Sequence, residues 1–484
     1  MTTLDQALEN ALRLHESGKL AEAEALYRQI LRTAPDHAET LHLLGALAHQ
    51  RGRGAEAVEL INRAVAREGG VPVFHNSLGI AYRALNRLEE AEAAYRRALA
   101  LDPNFAEAHG NLGNLLHQRG DLDAAVECQR RARDLEPGRA EFHNNLGTSL
   151  YDRDEFAAAE DCYRRAIALK PDFADAHFHL GLIRLHRGDF REGWREYEWR
   201  WRASTFEQAR RDFKQPQWRG EELKGARILL YTEQGFGDTL QFARYAKLVA
   251  ARGGRVWLES PPELLRLLSR IEGAERVFAA GTAPADFAWQ CPLLSLPLAC
   301  GTALATVPAA IPYLAAEPEA AARWRQRLAS RPGLRVGLAW AGRRTHRRDR
   351  ARSLSPAALA PLAAIPGAAF YSLQKEAAAL PAWAEDLAPG LGDFADTAAA
   401  ISALDLVVTA DTAVAHLAGA LGKPVFILLP WVCDWRWLEG RADSPWYPTA
   451  RLFRQREANG WDRVVTEVVQ AFGQFPTSWP RQNP

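Results

Sequence analysis

Small and apolar residues in the first two hundred positions recur at a fixed step. Glycine stands at Gly45, Gly79, Gly113, Gly147 and Gly181, always 34 residues apart. Ala23, Ala57, Ala91, Ala125, Ala159 and Gly193 keep that step, as do Tyr27, Ile61, Tyr95, Gln129, Tyr163 and Tyr197. Pro35, Pro103, Pro137 and Pro171 mark unit ends, with Gly69 in the missing slot. Each unit therefore predicts a pair of antiparallel helices. The small residues let the helices approach, tyrosines fill the space between neighbouring units, and proline stops the second helix.

From about residue 226 the period changes to alternating strands and helices. "ARILLYT" predicts a buried strand, "DTLQFARYAKLVAAR" a helix, "RVWLES" a strand, "PELLRLLSRI" a helix and "RVFAAG" a strand. The Pro- and Ala-rich stretch 291–332 resists assignment. A second alternation runs through strands at 335–342, 369–375 and 405–410, a helix at 412–422, a strand at 424–430 and a closing helix at 461–473. This order predicts two mostly parallel sheets facing across a cleft, with ligands at the carboxyl ends of the strands.

The 34-residue step with these markers is the tetratricopeptide repeat pattern, which implies a stacked α-solenoid with a concave face. Six repeats are expected over 4–202, then a junction at 203–225 and two Rossmann-like halves at 226–332 and 333–475. Asn111 and Asn145 stand at equivalent positions on first helices, where an amide ladder would bind a peptide backbone. Asparagine also suits that slot in such repeats generally. His75, His109, His143 and His177 recur as well, but stacked repeats lie too far apart to share a metal ion, so a packing role is expected. The last repeat, "GDFREGWREYEWRW", carries Trp194, Trp199 and Trp201, which predicts that it docks onto the α/β region behind it.

The 484 residues carry 60 basic and 59 acidic side chains, a net charge of +1, which argues against a general nucleic-acid or membrane binder. The five cysteines are scattered, without a CxxC pair, and fit a reducing compartment rather than a disulfide framework or zinc site. The N-terminal stretch reads as a charged amphipathic helix and not a signal peptide, and no apolar run is long enough to span a membrane. A cytoplasmic location is the expectation.

Four stretches carry candidate chemistry. "QGFGDT", 234–239, has neither the GK[ST] of a Walker loop nor a full GxGxxG. Gly235 and Gly237 allow close backbone approach, and Asp238 is either a helix cap or a general base facing the cleft. In "TADTAVAHLAGALGKP", Asp411 and Thr412 open a helix whose free N–H groups suit an anion, with His416 one turn in. An ordinary cap beside a packed histidine is the alternative. In 339–355, Arg343, Arg344, Arg347, Arg348, Arg350 and Arg352 follow a strand end; most suit a solvated loop, and one or two suit a phosphate leaving group. Gln374 and Lys375 end the next strand and face the same cleft. Trp431, Trp435, Trp437 and Trp446 suit stacking on a ligand or a seam between halves.

"GFGDTLQFARY" together with "DTAVAHLAGALGKP" resembles glycosyltransferase family 9, the heptosyltransferase-like enzymes of the GT-B fold. The whole layout resembles bacterial tetratricopeptide glycosyltransferases, including some that modify flagellin. The resemblance implies inverting, metal-independent transfer from a nucleotide-sugar, with no further cofactor. It places the base at Asp238 and the donor diphosphate contacts at Asp411, Thr412 and His416. Ala413 stands where the family has glycine. The expected acceptor is a protein recruited by the repeats. A carbohydrate acceptor with the repeats as scaffold, or a non-catalytic scaffold, is the alternative.

Overall fold

The computed structural model describes residues 4–204, 206, 211–343, 349–375 and 379–474. It contains two compact units, Met1–Ala176 and His177–Pro484.

The first unit holds five helix pairs: α1 (Leu4–Glu16) with α2 (Leu20–Thr33), α3 (Ala38–Gln50) with α4 (Gly54–Arg67), α5 (Pro72–Ala84) with α6 (Leu88–Leu101), α7 (Ala106–Arg119) with α8 (Leu122–Leu135), and α9 (Ala140–Asp152) with α10 (Phe156–Leu169). The glycine and tyrosine registers meet inside each pair. A Cβ added to Gly79 would lie 2.5 Å from the Tyr95 ring, and one on Gly147 2.7 Å from the Tyr163 ring. The tyrosines thus fill space within a repeat, seated on the facing glycine, rather than between repeats. The recurring histidines have a specific duty. His75, His109 and His143 donate Nε2–H to the carbonyls of Gly69, Pro103 and Pro137, each at 2.9 Å, and so satisfy the turn between repeats. Asn111 donates its side-chain amide to Asn76 Oδ1 at 3.0 Å, and Asn145 is half-buried at the same register of α9. The Asn111 amide is thus already engaged with a neighbouring repeat.

The helix α11 (Ala174–His186), from its fourth residue on, and α12 (Phe190–Tyr197) fall with the second unit. The reason is apolar: Leu185, Phe190, Trp194 and Tyr197 are buried in the core cluster that also holds residues of both sheets. Trp194 packs edge-on to Phe242 and Trp435, with centroids 6.3 and 5.1 Å away. His177 breaks the histidine pattern, stacking on Trp199 and pairing with Glu196 at 2.6 Å.

The first sheet contains β1 (Arg227–Tyr231), β2 (Arg255–Ser260), β3 (Ala274–Ala279) and β4 (Trp289–Pro292), all parallel in the order β3-β2-β1-β4. The second contains β5 (Leu334–Ala339), β6 (Ala368–Ser372), β7 (Ala384–Asp386), β8 (Leu406–Ala410), β9 (Val425–Leu429) and β10 (Ala450–Arg454), also parallel, in the order β10-β9-β8-β5-β6-β7. The central strands β8 and β9 are buried at every position, as parallel sheets covered on both faces require. The helices between strands are α13 (Phe236–Phe242), α14 (Tyr245–Ala251), α15 (Pro262–Leu268), α16 (Leu296–Cys300), α17 (Pro318–Leu328), α18 (Asp349–Arg352), α19 (Phe394–Ser402) and α20 (Ala413–Ala420), with α21 (Trp461–Gln474) closing the second sheet's outer layer.

The single helix expected after β1 is two. It breaks at Ala243 and Arg244 because Arg244 turns inward: Nε donates to Gln241 O at 2.9 Å, and the guanidinium also bonds Pro308 O, Trp446 O and the Tyr313 hydroxyl. A cation this buried needs that many acceptors. The 203–225 junction is in part structured. Trp218 is fully buried, and its backbone N–H donates to Gln290 O in β4.

Candidate functional site

The loop after β1 is braced before it reaches its glycines. Glu233 is buried and takes Nε and one terminal nitrogen of the fully buried Arg200, at 2.9 and 3.0 Å. Leu294 N–H adds a third bond to that carboxylate, and Gln234 donates to the Tyr197 hydroxyl at 2.9 Å. Gly235 then starts α13, and its N–H donates to Asp238 Oδ2 at 2.9 Å. The other oxygen, Oδ1, pairs with the Arg436 guanidinium. Asp238 is thus a helix cap and one half of an ion pair at once. Burial raises its carboxyl above the ordinary range, and Arg436 opposes that rise.

The second motif lies against the first. Thr412 starts α20 and accepts Val414 N–H at 3.3 Å on its hydroxyl, which also meets Thr409 Oγ1 at 3.3 Å. His416 is buried, with Nδ1 3.0 Å from the Tyr447 hydroxyl and its ring stacked on Trp437 at a centroid distance of 5.3 Å. Burial, reinforced by Arg436, lowers its pKa to about 3, so the ring is neutral. Gly237 sits directly on that ring: a Cβ there would lie 2.8 Å from His416 Cδ2. Glycine at 237 is what allows α13 and α20 to touch. The carboxyl ends of β1 and β8, and two motifs distant in sequence, meet at this contact.

Charge is concentrated around it. Asp411 follows β8; burial and the nearby Asp434 raise its carboxyl to about 6. Burial would raise Asp434 too, but the Arg436 charge and bond outweigh it and hold Asp434 below its ordinary value. Arg352 donates to Asp411 O at 3.1 Å and lies 3.6 Å from Asp349. The carboxylates of Asp238, Asp411 and Asp434 and the cations of Arg436 and Arg352 thus gather at the ends of β1, β8 and β9.

The remaining expected residues take mixed positions. Arg343 is exposed, with its guanidinium 5.4 Å from the ring centroid of Phe236, the first residue of α13. Phe236 in turn packs edge-on against Phe394 at 5.2 Å, so this corner joins both halves. Gln374 Oε1 accepts Trp340 and Ala341 N–H at 3.2 and 3.0 Å and braces the chain leaving β5. Lys375 donates to Gly392 O at 2.7 Å. Arg344, Arg347 and Arg348 lie outside the described residues, as does the side chain of Arg350. Trp435, Trp437 and Trp446 are buried in the seam, while Trp431 is exposed just after β9.

Sequence reasoning did not single out Arg436 and Asp434. Their signal was present as a charged "D-x-R" step inside an aromatic stretch, "CDWRW": buried aromatics on both sides of an arginine imply that it too is buried and therefore paired.

Tetratricopeptide repeat models match residues 14–78, 79–118, 106–138 and 144–193. The model of glycosyltransferase family 9 (heptosyltransferase) matches residues 371–428, which include Asp411, Thr412 and His416. Protein FlbA of Caulobacter vibrioides is 30% identical over 328 residues, covering 61% of this chain and 54% of that protein. The chain therefore spans about half the length of this relative. Among solved structures, a thermophilic TPR protein of Thermus thermophilus is 23% identical, covering 38% of this chain and all of that one, with a TM-score of 0.34. PilF of Pseudomonas aeruginosa is 18% identical, covering 41% of this chain and 88% of its own, with a TM-score of 0.37.

Proposed function

We propose that this chain, which carries tetratricopeptide repeats ahead of a region matching glycosyltransferase family 9, transfers a sugar from a nucleotide-sugar to a hydroxyl of a polypeptide held by the repeats. One observation carries the reading: Gly237, one residue before Asp238, is in contact with His416, one turn inside the helix that Thr412 opens. A base and an anion-binding helix start at adjoining strand ends suit attack by a hydroxyl on a carbon whose leaving group is a phosphate.

In this reading Asp238 takes the acceptor proton. The free N–H groups at the start of α20, the Thr412 hydroxyl and Arg352 take the diphosphate as charge builds on it. Arg343 and Lys375 flank the donor. A single displacement inverts the anomeric carbon. His416, neutral and fixed by Tyr447, shapes the floor of the donor site rather than moving a proton. The reading places the protein in the cytoplasm, where nucleotide-sugars are available and where five free cysteines are at home. No helix among the described residues is long and apolar enough to cross a membrane.

The test is a panel of UDP-, GDP-, ADP- and CMP-sugars with unfolding temperature as the readout. At least one is expected to raise it, and Thr412→Ala, judged against its own ligand-free value, is expected to lose that rise. A flat response across the panel would contradict the reading and favour a scaffold without a donor site.

A further inference from the structure

Arg436 is buried at this site and bonded to three side chains, and the chemistry proposed above leaves it without a part. Its exposure is 6%. Nε donates to Gln241 Oε1 at 2.9 Å, one terminal nitrogen to Asp434 Oδ1 at 2.8 Å, and the other to Asp238. Its guanidinium stacks over Trp435 at 4.3 Å and approaches Phe242 at 5.7 Å. The charges and hydroxyls acting with it are therefore Asp238 from α13, Asp434 and Asp411 from the ends of β9 and β8, His416 from α20, and Tyr197 from α12.

This geometry has two consequences. Each oxygen of Asp238 is already in a bond, one to Gly235 N–H and one to Arg436. The guanidinium favours the charged form, so it takes away part of the basicity that burial gives Asp238. Yet two of the five N–H groups of Arg436 are not used in the three bonds above, and its charge acts on Asp411 and His416, on either side of the start of α20, as well as on Asp238.

We propose that Arg436 is a shared counter-ion: in the donor-free protein it neutralises Asp238, and a bound diphosphate draws it away, freeing Asp238 to act as base only when the donor is present. This rests on the donor site proposed above. In the step itself, the freed Asp238 oxygen takes the proton of the acceptor hydroxyl, and the hydroxyl oxygen forms its bond to the anomeric carbon. The bond from that carbon to the phosphate oxygen breaks, and its electron pair leaves on the nucleotide phosphate beside Arg436. Arg436 is thus a positioning residue for the base and a contact for the leaving group.

Competition for one cation has a thermodynamic signature: whatever Asp238 loses to the phosphate, the phosphate must lose to Asp238. The probe is inorganic pyrophosphate, titrated calorimetrically into the full chain. Asp238→Asn keeps the shape and removes the competing charge, so pyrophosphate is expected to bind at least tenfold tighter than to wild type. In an Arg436→Gln background the same substitution is expected to change affinity less than twofold. Asp411→Asn, which removes a nearby charge that does not bond Arg436, is the control for simple charge removal and is expected to tighten binding less than Asp238→Asn does. If Arg436→Gln fails to fold by circular dichroism, Arg436→Lys replaces it, with the Asp238→Asn gain expected to fall by at least threefold. Equal affinity of wild type and Asp238→Asn would overturn the exchange, and so would a gain that persists without the arginine. So would an absence of pyrophosphate binding to both proteins. The nucleotide-sugar panel stays separate: a melting shift there with no Asp238→Asn effect here would leave the donor site standing and remove only the exchange.

Discussion

Gly237→Ala tests the contact on which the site depends. An ideal Cβ at 237 would lie 2.8 Å from Cδ2 and 3.3 Å from Nε2 of His416. Carbon atoms pack at about 3.5–4.0 Å, so the shortfall is about 0.7 Å. The ring cannot yield easily. Nδ1 is bonded to Tyr447, one face is stacked on Trp437, and Tyr447 itself fills the space over Gly419, where an added Cβ would run into its ring. Overpacking of this kind costs about 1–3 kcal/mol. Gly235→Ala is the matched control: the nearest atom to its added Cβ is Asp238 Oδ2 at 3.4 Å, an ordinary contact, and the loss is expected to stay below about 1 kcal/mol. Both substitutions reduce the freedom of the unfolded chain alike, so that effect cancels. The readout is tryptophan fluorescence during urea unfolding. All fifteen tryptophans lie at or beyond Trp194, so the signal reports the second unit alone. In a His416→Ala background the Gly237→Ala cost is expected to fall below about 0.5 kcal/mol, because the clash is gone. If Gly237→Ala matches Gly235→Ala, or if its cost survives the loss of the histidine, the contact does not exist as described.

The buried charges make the protein's response to pH and to substitution specific. His416 has a native pKa of about 3, far below its unfolded value, so between about pH 6.5 and 3 the unfolded chain binds a proton that the native state does not. Its contribution to stability is therefore present near neutrality and declines by about 1.4 kcal/mol per unit as pH falls through that window, a slope that His416→Gln is expected to remove in urea titrations. Asp411 acts in the opposite direction. Raised to about 6, it is protonated in the native state while still ionised in the unfolded one, so it stabilises as pH falls from about 6 towards 4. Protonated Asp411 also repels phosphate less, so the gain in pyrophosphate affinity from Asp411→Asn, taken against wild type at the same pH so that the ligand's own ionisation cancels, is expected to be smaller at about pH 5.5 than at about 7.5. Arg200→Met strands the buried Glu233 and is expected to cost about 3–5 kcal/mol in the same fluorescence assay. A cost under 1 kcal/mol would mean that the loop before Gly235 is not braced through that pair.

The architecture was legible wherever a pattern was long. A 34-residue step kept across six successive positions predicts helix pairs, and the largely apolar strands β1, β5, β8 and β9 stand out from their surroundings. Short edge elements did not. The strands β4, β7 and β10 are three to five residues long, and α19 is held by its own Asp393–Asp396 cap rather than by a strong apolar stripe. The break at Arg244 was hidden as well, because its causes, Trp446 O and Pro308 O, are 202 and 64 residues away. At the site, residue types and strand-end positions pointed to Asp238 and Thr412, since both depend on local chain geometry. The meaning of Gly237 depends on His416, and that of Arg436 on Asp238, and such long-range pairings leave no local trace. Gln374 illustrates the converse: its position at a strand end suited a ligand contact, and its carbonyl instead braces two backbone N–H groups of the neighbouring strand end.

Asp238 is proposed to remove the acceptor proton beside a donor held at α20. Asp238→Asn preserves size and the bond to Gly235 N–H while removing the base. With the nucleotide-sugar identified by the melting panel, donor affinity and single-turnover transfer to a polypeptide acceptor are measured on the same preparation. Donor binding is expected to be retained or tightened, and transfer to fall by about 10²–10⁴-fold. Transfer within threefold of wild type, with donor bound, would contradict the account.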